Sequence, residues 1–282
     1  MASRVVTGDS PPGDAAKIPA VDLAGSSMLA IVQAIPELET RTGRKAIVIG
    51  GLAVLCRLGI AYRATGDLDT ANRRFAREPA QLDVLLQQDG VTQAGPAGVW
   101  IPTPAGMVQV DVIEVTDSEL SHLPEDETDR LAVLSHAWAI ETATALRIRA
   151  ASPLENARTE VVVRVAEPGP LIAMKLQSIM NRPVEKERTD LLDIVQLTLD
   201  RTAGPSARTQ LGQADAQLAA DARLHAYRWF VDRRDQTLRL IRELPEGANI
   251  DADTVQLVSE LLLAELDRSD LPDAPGSERS GQ

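Results

Sequence analysis

Residues 47–70, IVIGGLAVLCRLGIAYRATGDLDT, constrain the fold of this chain more than any other stretch. The apolar run before Gly50-Gly51 predicts a short strand, the glycine pair a tight turn, and the apolar residues from Leu52 a helix. A second strand then opens on Asp67-Leu68-Asp69. Side chains alternate across a strand, so Asp67 and Asp69 project together while Leu68 points into the core. Two carboxylates held side by side repel each other, and such a pair suits a hard cation. Mg²⁺ takes oxygen ligands, keeps several waters and shares substrate phosphates. Glycine lets backbone N–H groups approach a ligand closely, and the positive end of the following helix favours phosphate. A phosphate cradle beside a Mg²⁺ site is the equipment of phosphoryl or nucleotidyl transfer.

Further along, Val108–Val115 reads VQVDVIEV, a predicted strand with Asp111 between two valines. A charge buried there costs several kcal/mol unless it is paired or bound to metal. Asp111 is therefore a candidate third carboxylate, whereas Glu114 has the opposite strand parity. The pattern turns helical after Pro168-Gly169-Pro170. Lys175 lies in a predicted helix over residues 171–180, and Arg188-Thr189-Asp190-Leu191-Leu192-Asp193 in the next. Asp190 and Asp193 are three apart and share a helix face.

The first block resembles the signature of the polymerase-beta-type nucleotidyltransferase superfamily: a hydrophobic residue, Gly-Gly, a spacer, then Asp-x-Asp. Fifteen residues separate Gly51 from Asp67, slightly more than is usual in that family. Arg63, Thr65, Asp67 and Asp69 are similar to the Arg-x-Ser/Thr-x-Asp-x-Asp form of AbiEii-type toxins, a group that includes the MenT toxins of mycobacterial toxin–antitoxin pairs. Lys175, then Arg188, Asp190 and Asp193, resembles the downstream motifs of the same group. The resemblance implies that Asp67 and Asp69 hold Mg²⁺, with Asp111 completing the site. Gly50, Gly51, Arg63 and Thr65 would hold the triphosphate of an NTP, with Arg188 and Asp193 also on the nucleotide. Lys175 would stabilise charge on the leaving pyrophosphate, and Asp190 would orient Lys175. It implies transfer of a nucleotide, from CTP or another pyrimidine NTP, to the 3′ end of tRNA, and a cognate antitoxin as partner.

The remaining features bound this reading. With 282 residues and 44% apolar content the chain can build a large core, made mostly of aliphatic residues because only 2% is aromatic. The expected organisation is a disordered arm over residues 1–24, an α/β nucleotidyltransferase domain with a mixed sheet over 25–167, a helical domain over 168–268 and a disordered tail over 269–282. Pro36 is expected to kink or end a helix that starts near Ser26. One long helical stretch is expected over 214–244 and a last helix over 251–266. Cys56 is the single cysteine, and His122, His136 and His225 lack ligand spacing, which argues against zinc. No apolar run reaches the length of a membrane span, and no signal-peptide pattern opens the chain, so a cytoplasmic protein is expected. A net charge of −12 opposes a broadly nucleic-acid-binding surface but permits a local basic patch. It leaves open an enzyme acting on an aminoglycoside-like antibiotic or on a protein, and a non-catalytic nucleotide-binding module.

Overall fold

The structure, a computed structural model, describes residues 18–181 and 184–268. An eight-stranded mixed sheet runs in the order β1-β7-β8-β2-β3-β6-β5-β4. Its strands are β1 (Ala20–Ala24), β2 (Ile47–Val48), β3 (Asp67–Arg74), β4 (Thr92–Gln93), β5 (Gly98–Thr103), β6 (Gly106–Thr116), β7 (Thr144–Ser152) and β8 (Ala157–Val165). Helices α1 (Ser26–Thr42), α2 (Gly50–Leu58), α3 (Gln81–Leu86), α4 (Asp117–Ser121) and α5 (Glu127–Thr142) are interleaved with them. After β8 the described chain is helical: α6 (Pro168–Ser178), α7 (Val184–Leu199), α8 (Ala203–Leu211), α9 (Ala216–Tyr227), α10 (Arg234–Arg242) and α11 (Ala252–Leu266). This is the expected α/β unit with a mixed sheet followed by helices. No helix among the described residues is long and apolar enough to cross a membrane.

Strand parity divides the sheet into two faces. Leu68, Val108, Val110, Leu146 and Ile148 are buried on the face that α1 covers. On the same face Asn72 meets Gln81 of α3 (2.7 Å). The opposite parity of β3 and β6 carries Asp67, Asp69, Asp111 and Ile113, and α5 and α6 close over its far end. The apolar core continues from the sheet into the helices, through Leu171, Leu176, Leu191, Val195, Phe230 and Leu262. Arg57, at the end of α2, donates to the Ala166 carbonyl (2.8 Å) and pins that helix to the junction between sheet and helices. Cys56 is buried on α2, and burial pushes its thiol pKa up to about 12, as expected of an inert core thiol.

Two expectations about the chain path need correction, and one of two alternatives at Pro36 is decided. The arm expected over residues 1–24 contains β1, which pairs in parallel with β7. Val21 and Leu23 point inward from it, an alternation too short to stand out in sequence. Residues 1–17 and the expected tail over 269–282 lie outside the described residues. Pro36 does not end α1, which runs on to Gly43 in the left-handed conformation (φ 67°). Proline removes one helix hydrogen bond, but the buried Val32, Ile35 and Leu38 hold both flanking turns against the sheet. The long helix expected over 214–244 is broken between α9 and α10 by a π-helical turn, Arg228–Asp232. The wider turn buries both Trp229 and Phe230. Thr237 then donates its hydroxyl to the Trp229 carbonyl (2.6 Å).

Leu68 is the fully buried counterpart of Asp67 and Asp69 on β3. Leu68→Ala is expected to destabilise the protein by about 2–5 kcal/mol through lost burial and the cavity left behind. A lowered urea midpoint at unchanged slope would show this; an unchanged midpoint would mean that β3 is not anchored through Leu68.

Candidate active site

A cleft of about 550 Å³ lies between the odd-parity face of β3, the start of α2, and helices α6 and α7. Its lining includes Gly50, Gly51, Arg63, Thr65, Asp67, Asp69, Lys175 and Asp190, which brings together most of the residues singled out from the sequence.

The carboxylates are placed by strand register. β3 and β6 are parallel neighbours, with Asp69 opposite Asp111 and Asp67 opposite Gln109. Asp67, Asp69 and Asp111 each offer an oxygen within 4.8 Å of the others, and all three are partly buried. Gln109 donates to Asp111 (3.0 Å) and Thr65 donates to Asp67 (3.3 Å). Two glycines make room for this group. Gly50 has φ 62°, and a Cβ there would overlap the Asp69 carboxylate. A Cβ on Gly98, which faces Asp111 from β5, would overlap that carboxylate as well. Gly51 is tightly placed too, since a Cβ would sit 2.6 Å from the Thr65 hydroxyl oxygen. The donor set is all oxygen and mutually repulsive, which fits a hard divalent cation such as Mg²⁺.

Across the cleft lies a buried ionic network. Lys175 Nζ, on α6, is 2.6 Å from Asp190 Oδ1 and 2.6 Å from Asp193 Oδ2, both on α7. Ser178 donates to the other Asp190 oxygen (2.7 Å). Arg63 donates through Nε (2.8 Å) and Nη2 (2.6 Å) to the two oxygens of Asp193, and the Tyr62 hydroxyl donates to the same carboxylate. Burial by itself would lower the Lys175 pKa, but the Asp190 and Asp193 charges outweigh it and hold it above the usual lysine value. Burial would likewise raise the Asp193 pKa; Lys175 and Arg63 instead hold it below the ordinary carboxylate value. Burial, with the Asp193 charge added, pushes the Tyr62 phenol far above its usual range, so it stays a donor.

Two expected nucleotide contacts are not placed as the motif implied. Asp193 is fully buried and taken up by Arg63, Tyr62 and Lys175, so it supports the cleft wall from behind. Arg188 does not line the cleft, and it meets Glu243 beyond α10 (3.3 Å). The reason is helical phase: Lys186, Thr189 and Asp190 of α7 face the cleft, and a residue two places from Asp190 falls on another side. Arg63 lines the cleft, but its guanidinium is committed to Asp193. Sequence reasoning missed Lys186, which reaches Asp67 Oδ2 (3.4 Å), although its i,i+4 spacing to Asp190 was available as a signal. It missed Gly98, whose signal was a glycine opening the apolar run of β5. Tyr62, Ser178 and His136, which lines the cleft on α5, carried no recognisable spacing.

No protein-family model matches this chain, and no curated protein matches it in sequence. Among solved structures it is similar to a candidate nucleotidyltransferase from H. pylori, at 12% identity and a TM-score of 0.41, over 86% of this chain and 96% of that one. It is also similar to an antigenic nucleotidyltransferase-like protein from Paracoccidioides brasiliensis, at 19% identity and a TM-score of 0.37, over 71% of this chain and 94% of that one. Likenesses this distant say nothing about the chemistry of the cleft, which rests on the geometry above.

The network sets a pH dependence. Because the folded Asp193 pKa is depressed, its stabilisation is complete above the ordinary value of 3.8 and is lost as pH falls through the lower folded value. Because the folded Lys175 pKa is raised, its stabilisation is complete below 10.5 and is lost as pH rises through the higher folded value. Asp193→Asn is expected to destabilise by about 3–5 kcal/mol near neutral pH, since it leaves two buried cations short of a partner. In guanidinium titrations that deficit should shrink only at pH below 3.8. A deficit that stays constant into strong acid would contradict the assigned network.

Proposed function

We propose that this chain is a divalent-cation-dependent nucleotidyltransferase that transfers NMP from an NTP to an acceptor hydroxyl. The observation that carries this reading is the carboxylate group Asp67, Asp69 and Asp111, of which Asp67 and Asp69 line the cleft with the Gly50-Gly51 turn and the buried Lys175. Asp67, Asp69 and Asp111 would hold Mg²⁺. When bound, the cation polarises the α-phosphoryl group and offsets charge on the departing pyrophosphate. The acceptor oxygen forms a bond to the α-phosphorus, the bond from that phosphorus to pyrophosphate breaks, and the hydroxyl proton passes to water. Gly50 and Gly51 let the backbone at the start of α2 approach the phosphates, and the dipole of that helix favours their charge. The Thr65 hydroxyl adds a contact at the same end of the cleft. Lys175 acts as a fixed positive charge; its two aspartate partners keep it protonated and immobile, so little reorganisation is needed as negative charge develops. Asp190 and Asp193 position Lys175, and Arg63 completes that support.

For the acceptor we infer the 3′ end of tRNA, and with it a toxin role and a cognate antitoxin, from the order of the two motif blocks. The cleft lining adds support against the antibiotic alternative. The carboxylates among its described residues are Asp67, Asp69 and Asp190, each with a role in the metal site or the lysine pair. A polycationic antibiotic would need further carboxylates to receive its ammonium groups.

The test is a transfer assay with Mg²⁺, each labelled NTP in turn, and total tRNA, an aminoglycoside or a protein mixture as acceptor. Label should enter tRNA, and Asp69→Ala should lower the rate by about a thousandfold at unchanged melting temperature. Label entering only the aminoglycoside or a protein would replace the acceptor and keep the chemistry. No transfer to any of them, with Mg²⁺-NTP still bound, would favour the non-catalytic module.

A further inference from the structure

The cations of the cleft differ in how firmly they are held. Arg63 makes a two-pronged contact with the fully buried Asp193, and Lys175 lies between Asp190 and Asp193. Neither can leave without stranding a buried carboxylate. Lys186 is different. Its side chain is 54% exposed, and it reaches Asp67 Oδ2 at 3.4 Å, longer than a tight charge-assisted bond. Its partner belongs to the carboxylate group proposed to bind the cation. Lys186 also sits one helical turn before Asp190, on the face of α7 that lines the cleft with Thr189.

These facts impose a conflict on Asp67. An ammonium ion and a divalent cation on one carboxylate repel each other, so arrival of the cation weakens the hold on Lys186. The flexible four-carbon stem then lets the ammonium move without any backbone change. The strongest anion that can enter this cleft under the nucleotidyl-transfer reading is the triphosphate that accompanies the cation. The geometry points to Lys186 as a residue that exchanges partners: it neutralises Asp67 in the nucleotide-free protein, and it grips the outer phosphates of the triphosphate once the cation has taken Asp67. This inference rests on the nucleotidyl-transfer reading and adds to it a triphosphate-binding residue that also guards the cation site. The exchange is non-covalent; no bond is made or broken.

Two binding measurements on the full chain test it without turnover. The first is Mn²⁺ binding to nucleotide-free protein, followed by electron paramagnetic resonance. The second is calorimetric titration with inorganic triphosphate in Mg²⁺, a probe that needs no knowledge of the preferred base. Lys186→Met should bind Mn²⁺ about three- to fivefold more tightly, because a competing exposed charge is gone. The same variant should bind inorganic triphosphate about tenfold more weakly, because a charged phosphate contact is gone. Lys186→Arg keeps the charge and should stay within about threefold of wild type for triphosphate. Equal triphosphate affinity in Lys186→Met and wild type would overturn the grip. Unchanged Mn²⁺ affinity would overturn the exchange. Wild-type protein that binds neither Mn²⁺ nor triphosphate would bring down the nucleotidyl-transfer reading itself, an outcome distinct from both.

Discussion

One buried carboxylate, that of Asp193, governs how the cleft is built. It receives the Arg63 fork from the segment before β3, the Tyr62 hydroxyl beside it, and the Lys175 ammonium from α6. A lone charge in such surroundings would be strongly unfavourable, and each partner would be equally so without the others. The opposing charges therefore have to be assembled together. In doing so they tie α6, α7 and the approach to β3 into one wall opposite the carboxylates of β3.

The two walls of the cleft are built from different arrangements of charge. On the helical side, Lys175 and Arg63 are balanced by Asp190 and Asp193, and the charges compensate within the protein. On the sheet side, Asp67, Asp69 and Asp111 converge on one another, and the half-exposed Lys186 reaches Asp67 from α7. The β3–β6 register brings these carboxylates together, and Gly50 and Gly98 clear the space they occupy.

Much of this was legible in the sequence, for definite reasons. Period-two alternation in DLD and VDV is enough to place Asp67 with Asp69 and to separate Asp111 from Glu114. Helical spacing puts Asp190 and Asp193 on one face, and both do meet Lys175. Other features were hidden because packing overrode a local rule. Pro36 is carried through α1 by the buried side chains around it. The turn after α9 widens to bury Trp229 and Phe230, and five residues before α1 become a strand because β7 offers an edge. Arg188 lies off the cleft lining, a matter of helical phase that a motif match does not report.

The sequence by itself determined which side chains share a strand or helix face, because that follows from backbone periodicity within a single element. It thereby determined the Asp67–Asp69 pair, the candidacy of Asp111 and the grouping of Asp190 with Asp193. Only the tertiary structure decided which charges are spent on one another and which stay available to a ligand. That depends on burial and on partners from distant elements. Arg63 and Asp193, which read as nucleotide contacts in the motif, satisfy each other, whereas Lys186, which no motif marked, is half exposed beside Asp67.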